Sequence, residues 1–303
     1  MKNRKDSPVI FAQSSSNSKN KNYSHSQSKP DSAIDVQNQQ IKATADQPLD
    51  ATAEQQTEAK LSEKHLHELT EKRQLPTEWV LENCRSVTAE EASQTLGCTA
   101  KSGGILIQGD GWQEQFKPDR PWLSDKDKAI GKKAPKYLTP KNADEDYDAI
   151  LPSHPEDKSY WHNLEALKQK CWQINEQPYL LVTEGAFKAI MGCAYNIPTI
   201  ALLGVELGLT SSRKETQKKR YLVASLEKFA KAGFGFIIAF DADCAENKSV
   251  AWAEKKLSKQ LKKFNIPVLS VMGLWNIDDG KGMDDFIQNQ GIEEFRKILI
   301  PFC

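Results

Sequence analysis

The stretch FGFIIAFDAD, residues 234–243, sets an apolar run directly against two aspartates. A continuous run of large apolar residues is typical of a strand that is buried on both faces of a parallel sheet. Such a strand would lie in the core and bring Asp241 and Asp243 out together at its carboxyl end. Because a single DxD pair is common, its meaning depends on which other carboxylates reach the same place.

Three further apolar runs alternate with helical patterns in the same part of the chain. They are PYLLVTEG at 178–185, IPTIALLG at 197–204 and IPVLSVMG at 266–273. Strands that alternate with helices predict an α/β fold with right-handed crossovers. We therefore expect a mostly parallel, four-stranded sheet with helices on both faces, over residues 176–303.

Carboxylates follow three of these predicted strands. Glu184 ends the first strand, and the loop NIDDGKGMDD at 276–285 follows the fourth and ends in Asp284 and Asp285. Ligands of open α/β sheets bind outside the carboxyl ends of the strands. Crowded carboxylates require a neutralising cation, and clusters of oxygen ligands suit Mg²⁺ or Mn²⁺. For each acid alone, a helix cap or a turn is the alternative.

The chain ahead of the sheet divides into two parts. Residues 1–60 are rich in Ser, Asn, Gln and Lys with little to bury, which predicts a disordered polar arm. Residues 61–175 predict a small α+β module with a basic loop. Its elements are a helix at 61–75, a helix at 88–97 with Thr88 as N-cap and Glu91 in a capping box, and a β-hairpin at 103–118 that turns at Gly109, Asp110 and Gly111.

The charge and cysteine content exclude several classes of protein. Lys plus Arg equal Asp plus Glu at 41 each, so an affinity for nucleic acid has to come from local patches. The six cysteines form no CxxC pair, which argues against a zinc ribbon and, with no signal peptide, indicates a reducing cytoplasm. No apolar run approaches the length of a membrane-spanning helix. We expect a soluble cytoplasmic protein without zinc.

Three motifs in this order, LLVTEG, AFDAD and GKGMDDFIQNQGIEEFRKIL, resemble the Toprim domain of DnaG-type and phage-type primases, which topoisomerases share. The resemblance covers residues 176–300, and it extends to plasmid- and phage-borne Toprim-like proteins of unassigned function. It implies a Rossmann-like sheet. Less specifically, KKAPKYLTP at 132–140 resembles a segment upstream of Toprim in DnaG-type primases, which implies a primase-like N-terminal module.

The resemblance also implies residue roles. Glu184 would be a metal ligand or general acid/base, Asp241 and Asp243 would be the DxD metal ligands, and these three would be catalytic. Asp284 and Asp285 would support the metal less directly. The family carries an aspartate four positions after the glutamate, whereas this chain has Lys188, which could contact a phosphate or pair with Glu184.

Basic residues near these motifs are predicted to contact nucleic-acid phosphates, with Tyr137 or Trp122 available for stacking on bases. The alternative is a solvated lysine-rich loop with Tyr137 packed against the sheet. The predicted phosphate contacts are Arg120, Lys132, Lys133, Lys136 and Lys188, and, in the run SSRKETQKKR, Arg213 and Lys214.

Three functions remain open at this point. The first is Mg²⁺-dependent, primase-like nucleotidyl transfer on a nucleic-acid template in the DNA replication of a mobile element, a plasmid or a phage. The second is a non-catalytic module that binds DNA and serves as an adaptor for a replicative helicase or a recombinase. The third is a metal-dependent nuclease of the Toprim type. The chain has no Walker A motif, so it contains no helicase engine of its own.

Overall fold

A computed structural model of the protein describes residues 61–123, 125–140, 147–210, 220–242 and 247–300. The predicted arm at 1–60 lies outside the described residues, as do three predicted site residues, Asp243, Arg213 and Lys214.

The N-terminal module begins with a short helix, α1 (Glu63–His67), which continues as one π-helical turn (Glu68–Lys72). Helix α2 (Thr77–Asn83) follows and was not predicted. Helix α3 (Ala89–Leu96) confirms the predicted capping box, since Thr88 accepts from the Glu91 N–H at 3.2 Å and Glu91 accepts from the Thr88 N–H at 2.7 Å. Gly97 ends α3 in the left-handed region at φ 63°.

Three antiparallel strands complete this module. They are β1 (Cys84–Val87), β2 (Gly104–Ile107) and β3 (Gln115–Pro118), in the order β1-β2-β3. The predicted hairpin is β2 and β3, with Ile107 opposite Gln115. Strand β1 was missed because four residues give too short an alternation to recognise. Helix α4 (Asp125–Ala129) follows in the basic loop.

The second sheet begins after helix α5 (Leu164–Lys170) and has five strands. The strands are β4 (Trp172–Ile174), β5 (Gln177–Glu184), β6 (Thr199–Leu202), β9 (Gly235–Ile238) and β10 (Val268–Ser270). Strands β10, β9, β5 and β6 pair in parallel in that order, which confirms the four predicted strands. A separate two-stranded ribbon, β7 (Leu209–Thr210) and β8 (Tyr221–Leu222), lies between β6 and β9 in the chain.

Strand β4 is antiparallel to β5 and was not predicted. It covers the edge of β5 over residues 177–179, and β6 covers the same edge over residues 181–184. The turn between β4 and β5 places Asn175 and Glu176 at φ 50° and 64°. A turn of this kind usually contains glycine, and because none is present here the turn was not predicted.

Helices pack on this sheet as the alternating pattern predicted. They are α6 (Ala186–Ala194), α7 (Ala224–Lys231), α8 (Lys248–Leu261), α9 (Met283–Gln290) and α10 (Ile292–Leu299). Two helices are shorter than the sequence predicts. The pattern KRYLVASLEKFAKAG predicts a helix over residues 219–233, but residues 221–222 belong to β8. The pattern MDDFIQNQGIEEFRKIL predicts a single helix over residues 283–299, but Gly291 separates α9 from α10 because its φ of 89° and ψ of 161° are not helical.

One apolar core runs through both parts of the described chain. Leu69, Trp79 and Ile107 of the N-terminal module belong to the same buried cluster as Leu181 and Ile237 of the sheet. The run Phe236–Phe240 that opened the sequence analysis is buried throughout. No helix in the described part of the chain combines the length and the apolar character needed to cross a membrane.

Candidate functional site

A pocket of about 600 Å³ opens at the carboxyl edge of the parallel strands, and we call it the strand-end pocket. The sheet and its helices supply most of its lining: Glu184, Gly185, Phe187, Lys188, Leu203, Asp241, Lys281, Asp284 and Asp285. The N-terminal module supplies the rest: Arg73, Gln115, Lys136 and Tyr137. The pocket is therefore a composite of residues that lie more than a hundred positions apart in the sequence.

The ends of β5 and β9 hold the first two carboxylates. Glu184 is the last residue of β5, and Asp241 follows the last residue of β9 after two buried residues. The buried hydroxyl of Thr183 donates to the Ala239 carbonyl at 2.8 Å, and so ties the end of β5 to the backbone that leads to Asp241. Glu184 and Asp241 therefore lie in one pocket, as expected for acids that follow neighbouring parallel strands.

Helix α6 starts at this edge directly after β5. Gly185 makes the turn at φ 96°, where a side chain would be strained. No side chain among the described residues caps α6. First-turn N–H groups point out of a helix N-terminus and favour anions there. The pocket thus receives the positive end of α6 together with Lys188, which lies in its first turn.

Lys188 makes a close ion pair with Asp241, its Nζ contacting Oδ1. The two side chains are only 17% and 15% exposed. Burial opposes the charge of Lys188, but the carboxylates of Asp241 and its neighbours outweigh burial and raise the pKa of the ammonium group. Lys281 Nζ lies 3.9 Å from Oδ2 of Asp241. Neither predicted role of Lys188 includes this pair with Asp241.

The two acids of α9 have different environments. Asp285 Oδ2 accepts from the Gly282 N–H at 3.3 Å and caps α9, which is the alternative that the sequence left open. Asp284 is 6% exposed, and its Oδ1 has no hydrogen-bond partner within the described residues. Burial, reinforced by the charge of Asp285, raises the pKa of Asp284 above its usual range. Arg73 Nη1 lies 4.0 Å from its other oxygen.

Arg73 is held in place from two directions. Its backbone carbonyl accepts from Nε2 of Gln288 on α9 at 2.7 Å. Its guanidinium lies over the Phe187 ring, 4.8 Å from the ring centroid, which is a cation–π geometry. Tyr137 meets the same ring edge-on at 6.2 Å. Tyr137 therefore packs against α6, whereas the alternative for the basic loop placed it against the sheet, and burial raises its pKa.

The other predicted phosphate contacts are spread over the surface. Lys136 is exposed and lines the pocket, whereas Arg120, Lys132 and Lys133 are exposed but do not belong to its lining. Lys132 pairs with Asp127 at 2.7 Å. The second predicted stacking residue, Trp122, packs against Phe116 with ring centroids 6.3 Å apart.

Three polar lining residues, Gln115, Lys281 and Arg73, were not predicted from the sequence. Gln115 could have been recognised as a candidate, because a polar side chain at a buried position of a strand usually has a specific hydrogen-bond partner. Lys281 stands between two groups of acids in DDGKGMDD, where only a turn was inferred. Arg73 carried no signal that distinguishes it from other basic residues near helix ends.

The described carboxylates do not by themselves form a metal centre. Nowhere in the described ranges do three or more His, Cys, Asp or Glu side chains come together in a way that could hold a metal ion. The ammonium group of Lys188 lies against Asp241, the acid that a metal would need. The remaining predicted ligand, Asp243, is outside the described residues.

Comparisons with known proteins identify two similarities. Residues 170–294 match a domain of unknown function (DUF3854). The chain is also similar to the crystal structure of the Aquifex aeolicus primase (zinc-binding and RNA polymerase domains), with 13% sequence identity and a TM-score of 0.48. That similarity covers 79% of this chain and 56% of the primase chain, so this chain spans little more than half of that protein. No curated protein sequence matches the chain.

Proposed function

We propose that the chain is a Toprim-fold protein of DNA replication that binds nucleic acid by its phosphate groups at the strand-end pocket. The observation that carries this proposal is the convergence of cationic side chains on one concave site. Arg73, Lys136, Lys188 and Lys281 all line it, and they come from both parts of the chain. Basic residues that surround a groove supply most of the affinity for a phosphodiester backbone.

Two features of the sheet support the Toprim assignment. The strand-end glutamate and the first aspartate of the DxD pair lie at the carboxyl ends of neighbouring parallel strands, β5 and β9, and both line the pocket. The N-terminus of α6, which no side chain of the described residues caps, starts directly after Gly185 and suits an anionic group. A phosphate group of a nucleic acid or of a nucleotide is an anion of this kind.

Among the functions that the sequence left open, binding is supported best. A helicase or recombinase adaptor would need a nucleic-acid site and no metal, and Lys188 already neutralises Asp241. Mg²⁺-dependent, primase-like nucleotidyl transfer is a second candidate, favoured by the joint presence of Glu184 and Asp241 in one pocket. It would require Asp243 to complete a ligand set.

The binding proposal is tested by fluorescence anisotropy with a labelled single-stranded oligodeoxynucleotide over a series of salt concentrations. The variants are Lys136→Ala and Lys281→Ala, and the matched control is Lys255→Ala, an exposed lysine of α8 that does not line the pocket. Each pocket variant should weaken binding and lower the salt dependence by about 0.7 per lost phosphate contact, whereas the control should change neither. Pocket variants that match the control would refute the proposal.

The second candidate has its own experiment. Template-dependent primer synthesis with Mg²⁺ and nucleotides is measured for the wild type and for Asp241→Asn. Nucleotidyl transfer predicts short products that the substitution abolishes. If the wild type binds DNA but makes no product, nucleotidyl transfer is excluded and the adaptor function remains.

A further inference from the structure

Among the described residues that line the strand-end pocket, the charges balance without a metal ion. Four carboxylates, Glu184, Asp241, Asp284 and Asp285, face the four cationic side chains named above. In a metal-dependent phosphate site, the ion neutralises the carboxylates and binds the phosphate oxygens. In this pocket the first of these tasks is already performed by lysine, because Nζ of Lys188 contacts one oxygen of Asp241 and Nζ of Lys281 lies 3.9 Å from the other.

The protein makes room for Lys188 at this position. A Cβ on Gly282 would lie 2.4 Å from Cε of Lys188 and 2.5 Å from Oδ1 of Asp284, so a side chain there would displace the ends of both. The Gly282 N–H donates to Oδ2 of Asp285 at 3.3 Å, which holds Gly282 in place. Since an ammonium group has three donors, Lys188 keeps hydrogen-bonding capacity beyond the bond to Asp241.

An independent observation indicates that the pocket takes a ligand. Within the described ranges, three buried side-chain polar atoms lack a hydrogen-bond partner, and two of them, Oε1 of Gln115 and Oδ1 of Asp284, belong to residues that line this pocket. Buried polar atoms in folded proteins are rarely left without partners. A nucleotide unit of single-stranded DNA would supply them, because the amino and ring N–H groups of its base are donors while its phosphate is an anion.

We infer that Lys188 takes the place of a divalent metal, so that the pocket binds a phosphate-bearing nucleotide unit of single-stranded DNA without any metal ion. The inference rests on the proposed nucleic-acid binding and specifies how that site works. The phosphate lies against Lys188 and the N-terminus of α6, and the donors of the same unit face Gln115 and Asp284.

The experiment measures the affinity for a labelled single-stranded oligodeoxynucleotide in EDTA and in Mg²⁺ at matched ionic strength. The wild type is compared with the double variant Lys188→Met/Asp241→Asn, which keeps the net charge of the protein and leaves no unpaired carboxylate. Lys255→Met serves as the control for loss of a lysine away from the pocket. Thermal unfolding of each variant verifies that it folds.

The inference predicts that the wild type binds in EDTA at least as tightly as in Mg²⁺. The double variant should lose about tenfold in affinity in EDTA, equivalent to one charge-assisted contact, while the control stays within about twofold of the wild type. The single variant Lys188→Met removes the ammonium group that neutralises the Asp241 carboxylate. Its affinity for the oligodeoxynucleotide should therefore increase when Mg²⁺ is added.

Two results would overturn the inference and leave the proposed nucleic-acid binding intact. Wild-type binding that EDTA abolishes and Mg²⁺ restores would show that a metal, not Lys188, contacts the phosphate. A double variant that binds like Lys255→Met in EDTA would show that Lys188 does not contribute to binding the phosphate. Absence of binding in both buffers would instead refute the proposed function itself.

Discussion

Two aspartates in different regions of the molecule show how a structural site differs from a candidate functional one. Asp157 lies in the segment 152–170, where it accepts from the Ser159 N–H at 3.0 Å, the Ser159 hydroxyl at 2.7 Å and Lys170 at 2.8 Å. These bonds lower the pKa of Asp157 to about 2. Asp284 in the strand-end pocket is buried with one oxygen unpartnered, and its pKa is raised.

The difference teaches where to look for function in this chain. In the segment 152–170 the carboxylate of Asp157 is satisfied by Ser159 and Lys170. In the strand-end pocket two buried polar atoms, on Gln115 and Asp284, have no partner among the described residues. Unmet hydrogen-bonding capacity, more than the presence of carboxylates, sets the pocket apart.

The largest expected effect comes from breaking the core beneath the satisfied segment. Trp161 is fully buried, its Nε1–H donates to the Pro152 carbonyl at 2.7 Å, and its ring lies 5.7 Å from that of Phe229. Trp161→Ala should lower the free energy of unfolding by about 3–5 kcal/mol, measured by urea denaturation. The folded variant should still bind DNA, and a specific loss of binding in it would contradict the separation of the two regions.

A smaller loss is expected from Thr183→Val at the base of the pocket. The substitution removes the hydroxyl that donates to the Ala239 carbonyl and leaves that buried acceptor without its partner. The cost should be about 1–2 kcal/mol in the free energy of unfolding. Thr199→Val, at another buried threonine whose hydroxyl donates to the Ile197 carbonyl at 2.6 Å, is the matched control for stability. Only Thr183→Val should also weaken DNA binding.

Asp284→Asn should raise the free energy of unfolding, whereas the two preceding substitutions lower it. Because burial raises the pKa of Asp284, the folded state binds more protons than the unfolded state, and wild-type stability falls as pH rises from about 4 through the raised pKa. The neutral amide removes this loss and should stabilise the protein at neutral pH by about 1 kcal/mol. Thermal melts over a pH series test it, and an unchanged pH dependence would contradict the assignment.

The smallest effect is expected for Asp157→Asn, because this half-buried side chain bonds mainly within its own segment. A lowered pKa means that Asp157 contributes its stabilisation above the ordinary carboxylate pKa and loses it as pH falls from about 4 towards about 2. The variant should lack this component in acid titrations followed by circular dichroism. DNA binding should match that of the wild type, and a change there would show that the two regions are coupled.

Features that depend on neighbouring residues along the chain were predicted from local sequence patterns. The apolar runs predicted the four parallel strands. The position of Glu184 and Asp241 after two of these strands predicted that both lie at one edge of the sheet. The capping box at Thr88 was predicted because its three-residue spacing is a property of the helix itself.

What the sequence missed depends on contacts between distant segments. Arg73 and Gln115 enter the pocket only because the N-terminal module packs on the sheet, and no local pattern encodes that packing. The Lys188–Asp241 pair joins residues 53 positions apart. Gly291 stands in an uninterrupted helical pattern, where glycine alone does not show whether a helix bends, continues or ends.

The double support of Arg73 has a consequence for the thermodynamics of ligand binding. With its guanidinium over Phe187, this side chain is already positioned at the pocket in the folded protein. Immobilising a long side chain at an interface costs about 0.5–1.5 kcal/mol of entropy on association. A contact between Arg73 and an anionic ligand would therefore carry less of this entropic cost.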